Sequence, residues 1–303
     1  MNNIDETALA AAVEADPQVV IGRGWSRGAV ALGLDNPVEL RGGSRLHIDA
    51  VPTAVPLDWN PEVASIVAQS CRTQQESGRT WFHLPPLALV GLEGCGRTHV
   101  ARQIARYAGV PLIHVDLEVD DGEWCQIAPT GPEVTMPNNV TLGIAASRCA
   151  NPVVHVTGVE KAKGADLMTL SAMIEPRSAS RFVDEAIEAT IDLSHVTWLV
   201  DVPDVNVLPL PLAKALTPIS FQAHSAGVSE ELQLSIATEI LDDLGLKHLP
   251  HGCSWMKLRE ETRHTWPIGR EGRVTVLYRE MRSLIEAAVA TAGSQPPEPL
   301  HSR

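Results

Sequence analysis

The sequence feature that most restricts the fold is a glycine-rich run between an apolar tetrapeptide and a helix-compatible segment. The run is Gly91-Leu-Glu-Gly-Cys-Gly-Arg-Thr98, and Leu87–Val90 comes directly before it. A short apolar stretch bounded by glycine is typical of a buried strand, and Arg97–Ala108, which Gly109 follows, is typical of a helix. This order of strand, turn and helix predicts an α/β fold with the turn at a strand's carboxyl end.

The spacing of this run matches a phosphate-binding loop, G-x-x-x-x-G-K-[ST], with arginine in place of lysine. The glycines would let backbone N–H groups converge on phosphate oxygens, and the helix N-terminus would add partial positive charge. Thr98 is also the candidate metal residue, because the hydroxyl at this position ligates Mg²⁺ in such a loop. The alternative is a glycine-rich turn that binds nothing. The candidate binding residues are Gly91, Gly94, Cys95, Gly96, Arg97 and Thr98.

Composition and charge narrow the class of protein. The 303 residues suffice for one large or two modest domains with a buried core. A formal net charge of −13 repels phosphate backbones and argues against nucleic acid as a partner. No apolar run is long enough to span a membrane, and the acidic N-terminus is unlike a signal peptide. The five cysteines are dispersed without a C-x-x-C pair, which favours reduced thiols and predicts a cytoplasmic protein.

The rest of the chain alternates strand-like and helical segments before it becomes purely helical. Further strands are predicted at Pro111–Val115, Pro152–Val156 and Val196–Val202, and helices at Ser229–Leu244 and Gly272–Ala292. Strands separated by helices predict a parallel sheet with right-handed crossovers. We therefore predict an N-terminal appendage over 1–57, a large α/β domain over 58–222, a helical lid over 223–292 and a disordered tail over 293–303.

Short patterns follow the glycine run in a fixed order, at Asn151–Ala162, Leu170–Pro176, Arg181–Asp184, Ile191–Trp198 and Pro209–Leu212. Together these segments resemble the AAA+ ATPases, and most closely the Lon-type ATPase module, over about 58–292. They are similar to its Walker B strand, to its L-L-E-x-x-[DE]-P, F-x-D and D-L-S-x-V-x-F patterns, and to its I-P-x-P-L after sensor 1. No segment similar to the Lon protease follows, so the resemblance does not imply peptidase activity.

The resemblance implies a P-loop NTPase fold, in which a parallel sheet flanked by helices is followed by a small all-helical lid. It also implies that the chain binds ATP or ADP. Assembly into a homo- or hetero-oligomeric AAA+ ring is implied as well, with a protein partner that the sequence does not identify.

The positions that carry hydrolysis in this family are changed in this chain. The Walker A lysine aligns with Arg97, whose planar guanidinium is wider than an ammonium group. The two Walker B acids, which hold Mg²⁺ and activate water, align with Thr157 and Gly158, so neither carboxylate is supplied. The sensor 1 asparagine falls at or beside Pro203, which cannot orient a water molecule.

The positions that would respond to a neighbouring subunit or to the lid are changed as well. The Asp-Arg pair that would carry the arginine finger aligns with Lys214-Ala215. The sensor 2 arginine falls near Thr275, or at Arg273 if the register shifts by two residues.

These changes favour a nucleotide-binding AAA+ module with weak or absent hydrolysis and a regulatory or scaffolding role, in which Mg²⁺ would lack its carboxylate anchor. The alternative hypothesis is an active ATPase in which Asp201 or Glu160 supplies the missing acid. The simpler interpretation of both is a solvated carboxylate at a strand end. His155 is interpreted as a core histidine with one hydrogen bond. Cys95 is interpreted as an apolar filler or, alternatively, as a reactive thiol at a helix N-terminus.

Overall fold

The computed structural model describes residues 16–24, 26–43, 60–118, 137–221, 230–249 and 274–293, with positions 254, 256, 257 and 260. The predicted disordered tail beyond Gly293 and the predicted boundary at 222/223 lie outside the described residues. The described part contains a five-stranded parallel sheet with helices on both faces, followed by a helical part. The predicted fold class is confirmed.

The strands and helices are numbered here in chain order. The strands are β1 (Gln18–Val19), β2 (Gly22–Arg23), β3 (Val38–Glu39), β4 (Leu87–Val90), β5 (Leu112–Asp116), β6 (Val153–Thr157), β7 (Phe182–Asp184), β8 (Ala189–Ile191), β9 (Thr197–Val202) and β10 (Thr217–Ser220). The helices are α1 (Arg27–Ala31), α2 (Pro61–Glu76), α3 (Arg97–Ala108), α4 (Asn139–Ser147), α5 (Gly164–Ile174), α6 (Pro176–Ala179), α7 (Leu210–Ala215), α8 (Glu230–Asp243) and α9 (Val274–Gly293).

The central sheet has the strand order β10-β4-β9-β6-β5, and each neighbouring pair is parallel. The strand that leads into the glycine run, β4, therefore lies between β10 and β9. The last residues of neighbouring strands are in register, since Val90 pairs with Val202 and Asp116 with Thr157. Side chains at the carboxyl ends of β4, β5, β6 and β9 consequently gather at one edge of the sheet.

Alternate residues of the central strands face two separate apolar layers. Leu87 and Leu89 on β4 belong to a cluster that includes residues of α2 and α3. Ala88, between them, belongs to a cluster on the opposite face with residues of α4, α5 and α7. Burial on both faces is typical of a parallel sheet and explains why these strands are continuous apolar runs.

Residues 16–43, which we assigned to an N-terminal appendage, pack into the main apolar core. Strand β2 pairs with β8, which pairs with β7, while β1 pairs with β3. The side chains of Ile21, Leu34 and Val38 are at most 1% exposed and belong to the same cluster as the central strands. Strands β1 and β2 carry too few residues to show the alternation that would have predicted them.

The helical lid forms a third apolar cluster. Leu232, Ile236 and Ile240 of α8 pack with Leu277 and Met281 of α9. Within the described part of the chain, no helix is both long enough and apolar enough to cross a membrane.

Candidate functional site

The glycine run forms the turn that the sequence predicts, between β4 and α3. Gly94 and Gly96 have positive φ angles of 81° and 103°, a backbone region that residues with a Cβ rarely adopt. The Gly96 carbonyl accepts a hydrogen bond from the Val100 amide at 3.0 Å as α3 begins. At Gly91, a Cβ would lie 2.8 Å from the carbonyl oxygen of Phe221. The turn therefore requires glycine at these positions, and its residues fit a phosphate group.

A cleft of about 630 Å³ lies over this turn and is in the size range of small-ligand sites. It is enclosed by the turn, by the carboxyl edge of the central sheet and by the helical lid. All the predicted binding residues except Cys95 line it. The sheet edge contributes Asp116, Glu118, Thr157, Gly158, Glu160, Lys161, Asp201 and Pro203, and the lid contributes Glu239, Val274, Thr275 and Tyr278.

The side chain of Arg97 is held against the edge of the sheet. Its Nη1 donates to the carbonyl oxygen of Val202 at 3.0 Å and approaches that of Leu89 at 3.5 Å. Its Nε lies 3.4 Å from Oδ2 of Asp201, and the two side chains are only 13% and 9% exposed. Two of the three guanidinium nitrogens are thus occupied by the protein itself.

Asp201 is a buried carboxylate, and the expectation that it is solvated is wrong. One oxygen faces Arg97, and the other accepts a hydrogen bond from Nε2 of His155 at 3.0 Å. His155 is fully buried and has this one hydrogen bond, as the sequence predicts, while its Nδ1 has no partner among the described residues. The His155 ring stacks on His114, with 5.3 Å between the ring centroids. Burial and the neighbouring His155 lower the pKa of His114.

At Gly158, which follows β6, there is no room for a side chain. Gly158 has a φ of 75°, and a Cβ there would lie 2.7 Å from the amide nitrogen of Glu118 and 3.0 Å from Oδ1 of Asp116. The neighbouring Thr157 hydroxyl lies 3.2 Å from Nε2 of His114. The position that aligns with the water-activating glutamate is therefore occupied by a glycine that the local backbone requires.

The remaining acids at the sheet edge do not form a metal site. Glu160 is exposed, as its simpler interpretation predicts, and Glu118 is paired with Lys161. Among the described residues, no group of three or more histidine, cysteine, aspartate or glutamate side chains is arranged to hold a metal ion. Mg²⁺ in such sites is usually held by one or two carboxylates together with phosphate oxygens, and Thr157 and Gly158 stand where the resemblance places those carboxylates.

The Cys95 side chain packs beneath the turn and faces away from the cleft. It is 3% exposed and belongs to the apolar cluster of α2 and α3. Burial raises the pKa of its thiol and outweighs the opposing charge of Arg97. A raised thiol pKa fits the interpretation as an apolar filler and argues against a reactive thiolate.

The positions aligned with the two sensors lie at the cleft, and the position aligned with the arginine finger lies away from it. Pro203 and Thr275 both line the cleft. Lys214 is exposed on α7, away from the residues that line the cleft. Arg273, the second candidate for sensor 2, lies outside the described residues.

A buried ionic cluster joins the lid to α3, and sequence reasoning missed it. Glu239 of α8 is fully buried and accepts hydrogen bonds from His99 and, at 2.7 Å, from Nη1 of Arg102. Burial by itself raises the pKa of Glu239, but the hydrogen bonds and charges of His99 and Arg102 outweigh it and lower the pKa below its usual range. The one sequence signal for this cluster was an acidic residue directly before Ile240 in the predicted helix Ser229–Leu244.

Three more hydrogen bonds connect α3, the turn and the two helices of the lid. The amide of Val274, at the start of α9, donates to the carbonyl oxygen of Gly94 at 2.7 Å. The hydroxyl of Tyr278 donates to Asp243 at 2.7 Å, and Asp243 also accepts from Nη2 of Arg106 at 2.8 Å. The glycine turn, α3 and the lid are therefore connected by hydrogen bonds around the cleft.

The architecture and the site together define an AAA+ module. A closed-state structure of Hsp104 with ATPγS and FITC-casein superposes with a TM-score of 0.59 at 13% identity, over 87% of this chain and 51% of that one. No protein-family model matches the chain.

Within that class the chain is similar to Lon proteases. The enzyme of Neorickettsia sennetsu is 27% identical over 222 residues, which is 69% of this chain and 26% of that protein. The enzyme of Chloroflexus aggregans is 25% identical over 231 residues, or 71% of this chain and 27% of that protein. This chain thus carries a Lon-like AAA+ module and spans about a quarter of the length of the relatives it matches.

Proposed function

We propose that the chain binds an adenine nucleotide, ATP or ADP, in the cleft over the glycine turn, hydrolyses it weakly or not at all, and serves as a regulatory or scaffolding module. The observation that carries this proposal is a retained phosphate turn beside a sheet edge that lacks the catalytic acids. At Gly158 the missing acid has no space, because a Cβ would collide with the backbone of Glu118.

The energetics favour binding over turnover. Phosphoryl transfer depends almost wholly on positioning and charge stabilisation, and one lost stabilising group costs about 100- to 1000-fold in rate. An arginine finger is worth about 10³- to 10⁵-fold. The metal anchor, the base, the sensor 1 asparagine and the finger are all replaced. Binding depends less on them, because backbone amides and a helix N-terminus supply much of the attraction for phosphate.

The alternative is an active ATPase in which Asp201 or Glu160 supplies the acid. The contacts of Asp201 and the exposure of Glu160 argue against this alternative. Asp201 already neutralises Arg97 and accepts from His155, so it would have to break a buried pair to hold a metal. Glu160 is exposed and belongs to no metal-binding group among the described residues.

Fluorescent ADP and ATP, titrated with and without Mg²⁺, test the proposal. We expect saturable binding that changes little when Mg²⁺ is added, since the sheet edge offers no carboxylate set for the metal. Thr98→Glu should abolish binding because it places a negative charge where the phosphate would sit, while an acid in the first turn is tolerated by the helix. Thr73→Glu, at an exposed position of α2, is the matched control. Absence of binding at millimolar nucleotide would leave the chain only a structural role.

Ring assembly belongs to the same proposal. The exposed Lys214 at the arginine-finger position supports a passive place in a ring, because a flexible ammonium does not reproduce the bidentate guanidinium. Such a subunit would occupy a position without activating its neighbour. Its partner would be a second copy of this chain or an active AAA+ protein.

A further inference from the structure

The backbone of the turn and the side chain of Arg97 differ in whether they are available to a bound phosphate. In a loop of this type, backbone amides hold the α- and β-phosphates, while the lysine side chain reaches the β- and γ-phosphates. The backbone part is retained here, since Gly94 and Gly96 keep the positive φ angles of the turn. The side chain of Arg97 is not available to a phosphate, because it donates to the carbonyl of Val202 and pairs with Asp201.

Arg97 cannot leave its partners without cost. Its side chain is 13% exposed and that of Asp201 is 9% exposed, so the ion pair between them is largely removed from water. Removing one member of a buried pair leaves the other charge uncompensated, which is strongly destabilising. A phosphate that recruited Arg97 would therefore have to leave Asp201 unpaired beside it.

The residues around the expected position of a γ-phosphate are acidic. Asp116, Glu160 and Asp201 line the cleft at the sheet edge, and the neighbouring Lys161 is paired with Glu118. A γ-phosphate adds negative charge at this edge, where like charges repel and no metal-binding group exists among the described residues to screen them. A diphosphate depends less on a metal or on Arg97 than a triphosphate does, because the backbone amides of the turn serve the α- and β-phosphates.

We infer that the cleft takes a nucleoside diphosphate in preference to the corresponding triphosphate, and that the Arg97–Asp201 pair sets this preference. This inference rests on the proposed nucleotide binding and adds the class of ligand. Asp201 acts as an internal counterion that keeps Arg97 from the γ-phosphate.

Titration of the wild-type chain with ADP and with ATP, both in EDTA, gives the first test. We expect ADP to bind at least about tenfold more tightly, because the γ-phosphate of ATP meets like charges without a compensating contact to Arg97. Equal affinity, or tighter binding of ATP, would overturn the inference while leaving the proposed function intact. If neither nucleotide binds, the proposed function itself fails. This comparison does not depend on any variant folding.

Variants then test whether the Arg97–Asp201 pair sets the preference for the diphosphate. Asp201→Asn keeps the size of the side chain and an oxygen for His155 but frees Arg97, so ATP should bind about tenfold more tightly and ADP should change by less than about threefold. The double variant Arg97→Gln/Asp201→Asn should lose this gain. Asp116→Asn, which removes a charge from the same edge without contact to Arg97, should raise ATP affinity by less than about threefold. A gain that persists in the double variant would contradict the role of Arg97.

Discussion

Gly158 occupies a position that leaves no room for a side chain. Its φ of 75° suits glycine, and the nearest atoms to a Cβ, at 2.7 and 3.0 Å, belong to Glu118 and Asp116. A side chain here would need both a strained backbone and a displaced neighbour. The packing between the ends of β5 and β6 therefore favours glycine at this position.

Gly158→Ala should destabilise the protein by at least about 2 kcal/mol, because strain at positive φ adds to a steric clash. Gly78→Ala is the matched control: Gly78 also has a positive φ, 69°, but no atom lies within 4 Å of the position that a Cβ would take there. Its cost should be about 1 kcal/mol, the backbone term alone. Chemical denaturation measures both. Equal costs for the two variants would contradict the steric argument at Gly158.

At the scale of elements, the lid is tied to the helix that follows the phosphate turn. Glu239 of α8 accepts from His99 and Arg102 of α3, and the Val274 amide of α9 donates to Gly94 of the turn. Because the charged partners of Glu239 are already in place, its burial is compensated. The lid is thus held against the cleft by the chain's own side chains.

Glu239→Gln should lower the free energy of unfolding by about 1–3 kcal/mol, since a buried charge-assisted network loses its anion. Asp242→Asn is the control on the same helix. Asp242 is 58% exposed and lies 3.5 Å from Arg106, so its loss should cost no more than about 0.5 kcal/mol. Thermal and denaturant unfolding compare the two. Equal effects would mean that the buried cluster does not hold the lid.

Local sequence signals predicted the elements that form the cleft. The strand Leu87–Val90 and the helix Arg97–Ala108 have the predicted bounds, because apolar runs and glycine stops act over short distances. The pairing of Arg97 with Asp201 was not predicted, since side-chain packing joins two residues that lie far apart in the chain. The place of residues 16–43 in the core was missed because two-residue strands carry no periodicity.

At the scale of the whole molecule, the chain has a cleft over a glycine turn, and Thr157 and Gly158 stand where the resemblance places two acids. The sheet order, the glycine turn and the lid are those of an AAA+ module. The buried Asp201 beside the turn already contacts Arg97 and His155. On the proposed function, such a molecule would bind a nucleotide without hydrolysing it.

Phosphate release from ATP by the purified protein, with Mg²⁺ and at concentrations where binding is established, tests this claim most directly. The wild-type chain should release no more phosphate than the background, and Asp201→Asn and Arg97→Ala, measured beside it, should give the same background value. Release that requires Mg²⁺ and falls in either variant would contradict the claim, because it would show that these residues complete a working catalytic site.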